Sequence, residues 1–75
     1  MEFAEAAVTV LAEEGAPLHW TVIQDLALKR GYLDPFTQRD IRRQLLVALA
    51  ASTKDGRIRK VGTGVYALPE EEGAS

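Results

Sequence analysis

Glycine and proline cut this chain into three stretches of helical length followed by one of hairpin length. The breaks are Gly15-Ala16-Pro17, Gly31 with Pro35, Lys54-Asp55-Gly56 and Gly62-Thr63-Gly64. Proline lacks the N–H that a helix interior donates, and glycine takes the left-handed conformation in which helices end. The 75 residues include no cysteine. No disulfide braces the pieces, which fits a reducing compartment. Three helices and a hairpin must share one small core as a single domain.

The first helix is expected over residues 2–14. Phe3, Ala7, Val10 and Leu11 form its apolar stripe, Glu2, Glu5, Thr9 and Glu13 its wet side, and Gly15 its cap. Leu18-His19-Trp20 is a short extended step that pairs with a later strand. The second helix starts between Trp20 and Val22, capped by Thr21 with Gln24 or by His19. Ile23, Leu26 and Ala27 face inward, and the helix ends on Lys29 and Arg30 before Gly31. In the connector, residues 31–36, Tyr32 and Phe36 are expected to plug the end of the core, with Pro35 fixing the turn.

The longest helix is expected over residues 37–53, TQRDIRRQLLVALAAST, with Thr37 and Asp40 in a capping-box arrangement. At helical spacing Ile41, Leu45, Ala48, Leu49 and Ser52 share a core-facing arc. Arg39 and Arg43 point the opposite way, and Arg42 sits on the shoulder. Leu46, Val47 and Ala50 make the later part of the outer face apolar. Residues 57–61 and 65–68 then read as a hairpin around a three-residue loop, with Ile58, Leu68 and Tyr66 turned inward. Pro69 ends the pairing. The domain is expected over residues 1–68, and residues 69–75 as an acidic, disordered tail.

Charge is distributed unevenly. The formal net charge is −2, yet all nine Lys and Arg fall between positions 29 and 60. That window holds three acids (Asp34, Asp40 and Asp55) and carries +6, while the rest holds eight acids and no base. A local cationic field, rather than net charge, steers a polyanion.

Basic residues at the start of a helix suit nucleic acid. Arg39, Arg42 and Arg43 fit the part of a helix-turn-helix that enters the major groove, where arginine reads guanine edges or clamps phosphates. Gln38 is a further base-contact candidate. Lys54, Arg57, Arg59 and Lys60 suit phosphates or a minor groove flanking the hairpin. The bland alternatives are a solvated helix face with an Asp40–Arg43 pair and an edge strand protected by charge. Leu46 and Val47, if uncovered, suit a protein partner or a homodimer.

Other classes of function find little support in the residues. His19 is the sole histidine, so no ordinary metal site or cofactor is expected. No nucleophile–base pairing or nucleotide loop is present, so an enzyme is not expected. No apolar run approaches the roughly 20 residues of a membrane span. The N-terminus lacks a basic signal region, and the expected location is cytoplasmic.

The order helix, short strand, helix, helix, hairpin is that of a winged helix-turn-helix: mainly α with a small β-hairpin (α+β), three helices plus a β wing. Two segments sharpen this. Pro17-Leu18-His19-Trp20 with Ile23 resembles the P-L-H-aromatic-x-x-I opening of the second helix in the HARE-type helix-turn-helix family. Residues 57–68, RIRKVGTGVYAL, resemble that family's closing R-F-x-R-V-G-x-G-x-Y-x-L signature, with Ile58 and Lys60 standing where it has Phe and Arg. The family is named for plant homeobox, additional-sex-combs-like and restriction-endonuclease proteins, and includes the N-terminal domain of the RNA polymerase delta subunit. The resemblance implies a winged-helix fold. It also implies a double-stranded DNA partner in transcription or another DNA transaction, or docking on RNA polymerase or another protein.

Overall fold

The computed structural model of the chain describes residues 1–69. The acidic tail expected from the sequence lies, past Pro69, outside the described residues. The elements run in the order α1 (Phe3–Glu14), β1 (Leu18–His19), α2 (Trp20–Lys29), α3 (Ile41–Asp55), β2 (Arg59–Gly62) and β3 (Val65–Ala67). Three helices surround one core and a small antiparallel sheet closes it, the α+β architecture of a winged helix-turn-helix.

Helix α1 buries Ala4, Ala6, Ala7, Val10 and Leu11. Its alanines let the backbones of α2 and α3 approach closely, while Phe3 packs half-buried at the margin. The Gly15 N–H donates to the Leu11 carbonyl (2.9 Å) and ends the helix as expected. His19, not Thr21, caps α2. Its Nδ1 accepts the Thr21 N–H at 3.3 Å and lies 2.8 Å from Thr21 Oγ1. A cap needs extended backbone, and β1 holds His19 there, whereas Thr21 is already helical.

The connector departs from expectation. Gly31 takes the left-handed conformation (φ +76°), and the Tyr32 and Leu33 N–H groups both donate to the Ala27 carbonyl (2.8 and 3.2 Å). This geometry carries Leu33 into the core, 1% exposed, while Phe36 stands 96% exposed. Leu33 is therefore the plug, and Phe36 is not.

Helix α3 begins at Ile41, four residues later than the sequence suggests. Residues 34–38 close on themselves instead. The Asp34 carbonyl accepts the Thr37 and Gln38 N–H groups (3.2 and 2.8 Å), and the Asp34 carboxylate accepts the Phe36 N–H (2.9 Å). Gln38 Oε1 in turn accepts the Asp34 N–H (2.8 Å). Thr37 thus belongs to a turn and caps nothing. Asp40, at φ +48°, precedes the helix without a side-chain cap bond. Leu45, Leu49 and Ser52 are buried as the spacing requires, with Ile41 and Ala48 partly so.

At the other end of α3, the Ser52 carbonyl accepts the Arg57 and Ile58 N–H groups (2.9 and 3.1 Å). The chain reverses there and Ile58 enters the core, 1% exposed. The sheet has the order β1-β3-β2. Leu18 lies opposite Tyr66 and His19 opposite Val65, so the expected pairing of the early extended step is present. On the other side Arg59 faces Ala67, Lys60 faces Tyr66 and Gly62 faces Val65, with an irregularity between Lys60 and Gly62. Val61 is the extra residue of a bulge. Because Gly62 already pairs, the hairpin turn has two residues, Thr63 and Gly64, rather than three.

Candidate nucleic-acid interface

Gly64 organises the surface formed by the wing turn and the start of α3. It sits at φ +71°, and a Cβ there would lie 2.8 Å from His19 Nε2 and 3.2 Å from Trp20 Cδ1. Its carbonyl accepts the Trp20 N–H (2.9 Å). Trp20, half-buried at the first position of α2, carries the Arg42 guanidinium over its ring, 5.5 Å from the centroid. An aromatic face attracts a cation held at that distance. The wing turn, the beginning of α2 and the beginning of α3 are therefore joined through one indole. The sequence does not announce this contact, because Trp20 and Arg42 are 22 positions apart.

Arg42 and Arg43 share an open groove with Asp40, Ile41, Leu46 and Val47. The cationic and apolar halves of α3 thus meet on one surface rather than forming separate faces. Val47 is 63% exposed. Leu46 is half-buried against the core. Arg43 and Val47 also border a shallow apolar groove against Glu2, Phe3 and Ala4 of the N-terminal segment.

The remaining candidates are dispersed. Arg39 is exposed but lies in the loop ahead of α3, not on its outer face, and its carbonyl accepts the Gln44 side-chain amide. Gln38 is committed to the fold, since its amide bridges the Asp34 N–H and the Met1 carbonyl (2.8 and 3.0 Å). Lys54 is exposed in the last turn of α3, about 18 Å along the axis from Arg42 at the helical rise per residue. Arg59 and Lys60 are exposed neighbours on β2 and leave the strand on opposite sides. Arg57 precedes β2 and is paired. Its guanidinium meets Asp55 at 2.9 Å (Nη2 to Oδ2) and 3.0 Å (Nε to Oδ2). Hydrogen bonds from the Arg57 side chain and then its backbone N–H hold the Asp55 carboxyl below its ordinary value.

Arg30 is neutralised too. It reaches Glu13 (2.8 Å) and Glu14 (2.7 Å) at the end of α1. Tyr32 donates its hydroxyl to Glu13. That bond, and partial desolvation after it, raise the phenol above its usual range. By contrast, among the described residues Arg39, Arg42 and Arg43 form no ion pair. The cationic window of the sequence is thus sorted by the fold, with Arg30 and Arg57 tied to acids and the cluster at the start of α3 left without them.

Among the described residues no group of three His, Cys, Asp or Glu side chains could hold a metal ion. No helix there is long and apolar enough to cross a membrane.

Compared with known proteins, residues 1–70 match the family model of HARE-HTH, an ASXL and restriction endonuclease HTH domain. Neither the curated proteins nor the solved structures contain a match to the chain.

Proposed function

The chain belongs to the HARE-HTH family, a family of DNA-binding domains, and we propose from that premise that it binds double-stranded DNA in transcription or another DNA transaction. The start of α3 enters the major groove, as the second helix of such motifs does. Arg42 and Arg43 reach base edges or phosphates from the helix, and Arg39 from the loop before it. Arg59 and Lys60 lie along the adjacent backbone from the wing. The observation that carries this reading is the absence of an acidic partner for Arg39, Arg42 and Arg43 among the described residues. Few phosphates are contacted, so affinity is modest and strongly salt-dependent.

Fluorescence anisotropy with a mixed-sequence duplex tests this. Saturable binding at roughly 50 mM salt that collapses near 200 mM supports it. No binding at the lower salt, from folded protein, overturns it.

One observation favours a second reading. Val47 is 63% exposed beside Arg43, a combination that suits an acidic protein surface with an apolar anchor, on RNA polymerase or another partner. Val47→Asp separates the two, because so exposed a site tolerates the change without unfolding. If Val47→Asp abolishes capture of a partner while duplex binding is unchanged, protein docking is favoured.

A further inference from the structure

Phe36 is the most exposed large apolar side chain among the described residues, at 96%. It is neither an unfinished core residue nor part of a slack loop. Leu33 already fills the core position at that end, 1% exposed. The turn beneath Phe36 is closed by the Asp34 carbonyl, the Asp34 carboxylate and the Gln38 amide, and Gln38 Nε2 ties it to the Met1 carbonyl. A phenyl ring held in water forgoes the transfer free energy that burial returns. A turn that holds it there leaves both faces of the ring open to a ligand.

The surroundings indicate what that is. Phe36 lies inside the cationic window, five residues before α3 begins. Apart from Pro35 its chain neighbours are polar (Asp34, Thr37, Gln38 and Arg39). In sequence the ring is thus flanked mainly by polar groups, with the exposed Met1 tied to the same turn through Gln38. The nearer acid, Asp34, has its carboxylate engaged by the Phe36 N–H. Arg39, three residues on, is exposed and unpaired. An exposed aromatic three residues from an unpaired cation fits the pairing with which proteins take a nucleobase and its phosphate.

We propose that Phe36 is a base-stacking contact, its ring taking the face of a nucleobase while Arg39 takes a neighbouring phosphate. This rests on the DNA reading above and narrows it, because a fully stacked duplex offers no free base face along its length. The base is either one already unpaired or one from a step that the ring itself opens, as apolar wedges do.

The test uses the full chain and two short duplex probes at roughly 50 mM salt, the low-salt condition that favours phosphate-driven binding. One probe is fully paired with an internal 2-aminopurine. The other carries that base as a single-nucleotide bulge. Phe36→Ala should leave the unfolding midpoint unchanged, since the ring is exposed. It should weaken binding about 5- to 150-fold, the range of one lost base–aromatic stack, and remove the 2-aminopurine fluorescence change. Phe36→Tyr should retain both. A loss confined to the bulged probe assigns an already unpaired base. A loss on both, with 2-aminopurine fluorescence rising in the paired probe, assigns a step opened by the ring. If the wild-type chain binds and Phe36→Ala alters neither affinity nor fluorescence, the stacking role is wrong and duplex binding stands. If the wild-type chain binds neither probe, both the stacking role and the duplex reading fail.

Discussion

Arg30 and Arg42 stand at the end of one helix and the start of the next, and the fold treats them differently. Arg30 turns back to Glu13 and Glu14, where its charge helps to fasten α2 to α1. Arg42 forms no ion pair among the described residues and rests on the face of Trp20, beside unpaired Arg43. A guanidinium over an aromatic ring keeps its charge uncompensated and its donors free, whereas in Arg30 the charge is balanced by two carboxylates and two donors are engaged. The first arrangement holds the molecule together. The second leaves charge for something outside it.

Several substitutions would break or sharpen that contrast. The largest effect is expected from Arg39→Glu with Arg43→Glu. These changes should cost about 2–6 kcal/mol of DNA affinity, the sum for two arginine contacts, while urea unfolding moves by no more than about 0.5 kcal/mol, as at other exposed sites. A comparable loss of stability would show that these arginines serve the fold after all. Gly64→Ala comes next. It forces a side chain into left-handed backbone and against His19 and Trp20, and should destabilise by about 2–3 kcal/mol, read from thermal unfolding.

Arg30→Gln should produce the reverse of the arginine-to-glutamate pair: a small loss of stability that shrinks with added salt, because exposed ion pairs are screened. Duplex affinity should stay unchanged. The smallest effect concerns pH. The Asp55 carboxyl titrates lower folded than unfolded, so its contribution is present above the ordinary carboxylate range. It is lost as pH falls through the depressed value. Asp55→Asn should flatten that part of the acid-unfolding curve and leave the curve at neutral pH nearly parallel to the wild type.

The helices, the early strand and the wing were legible because each is written in neighbouring residues. Apolar spacing exposes the stripe of Leu45, Leu49 and Ser52, and the Pro17–Trp20 and Arg57–Leu68 segments carry the family resemblance. The connector was not legible. Whether Leu33 or Phe36 enters the core depends on how the chain leaves Gly31, and that is set by the Ala27 carbonyl and by a Gln38 bond to Met1, 37 positions away. Thr37 reads as a cap only if Asp34 is ignored as a competitor for the same backbone, and with Thr37 goes the placement of Arg39 on the helix. The pairing of Arg30 was hidden for a similar reason. Its acids lie 16 and 17 positions upstream, on a helix whose packing angle no local pattern specifies.

The contact of Gly64 with His19 and Trp20, continued to Arg42, has a thermodynamic consequence. A wing on a loose loop would have to be ordered on each encounter, at an entropic cost that subtracts from affinity. Here the turn is fixed to the start of α2, which also holds the leading arginine of α3, so the two pieces proposed to meet DNA are joined in one body. Association of such a pre-organised surface should be limited mainly by diffusion and orientation. Sequence preference would then be expressed in how long the complex lasts rather than in how quickly it forms.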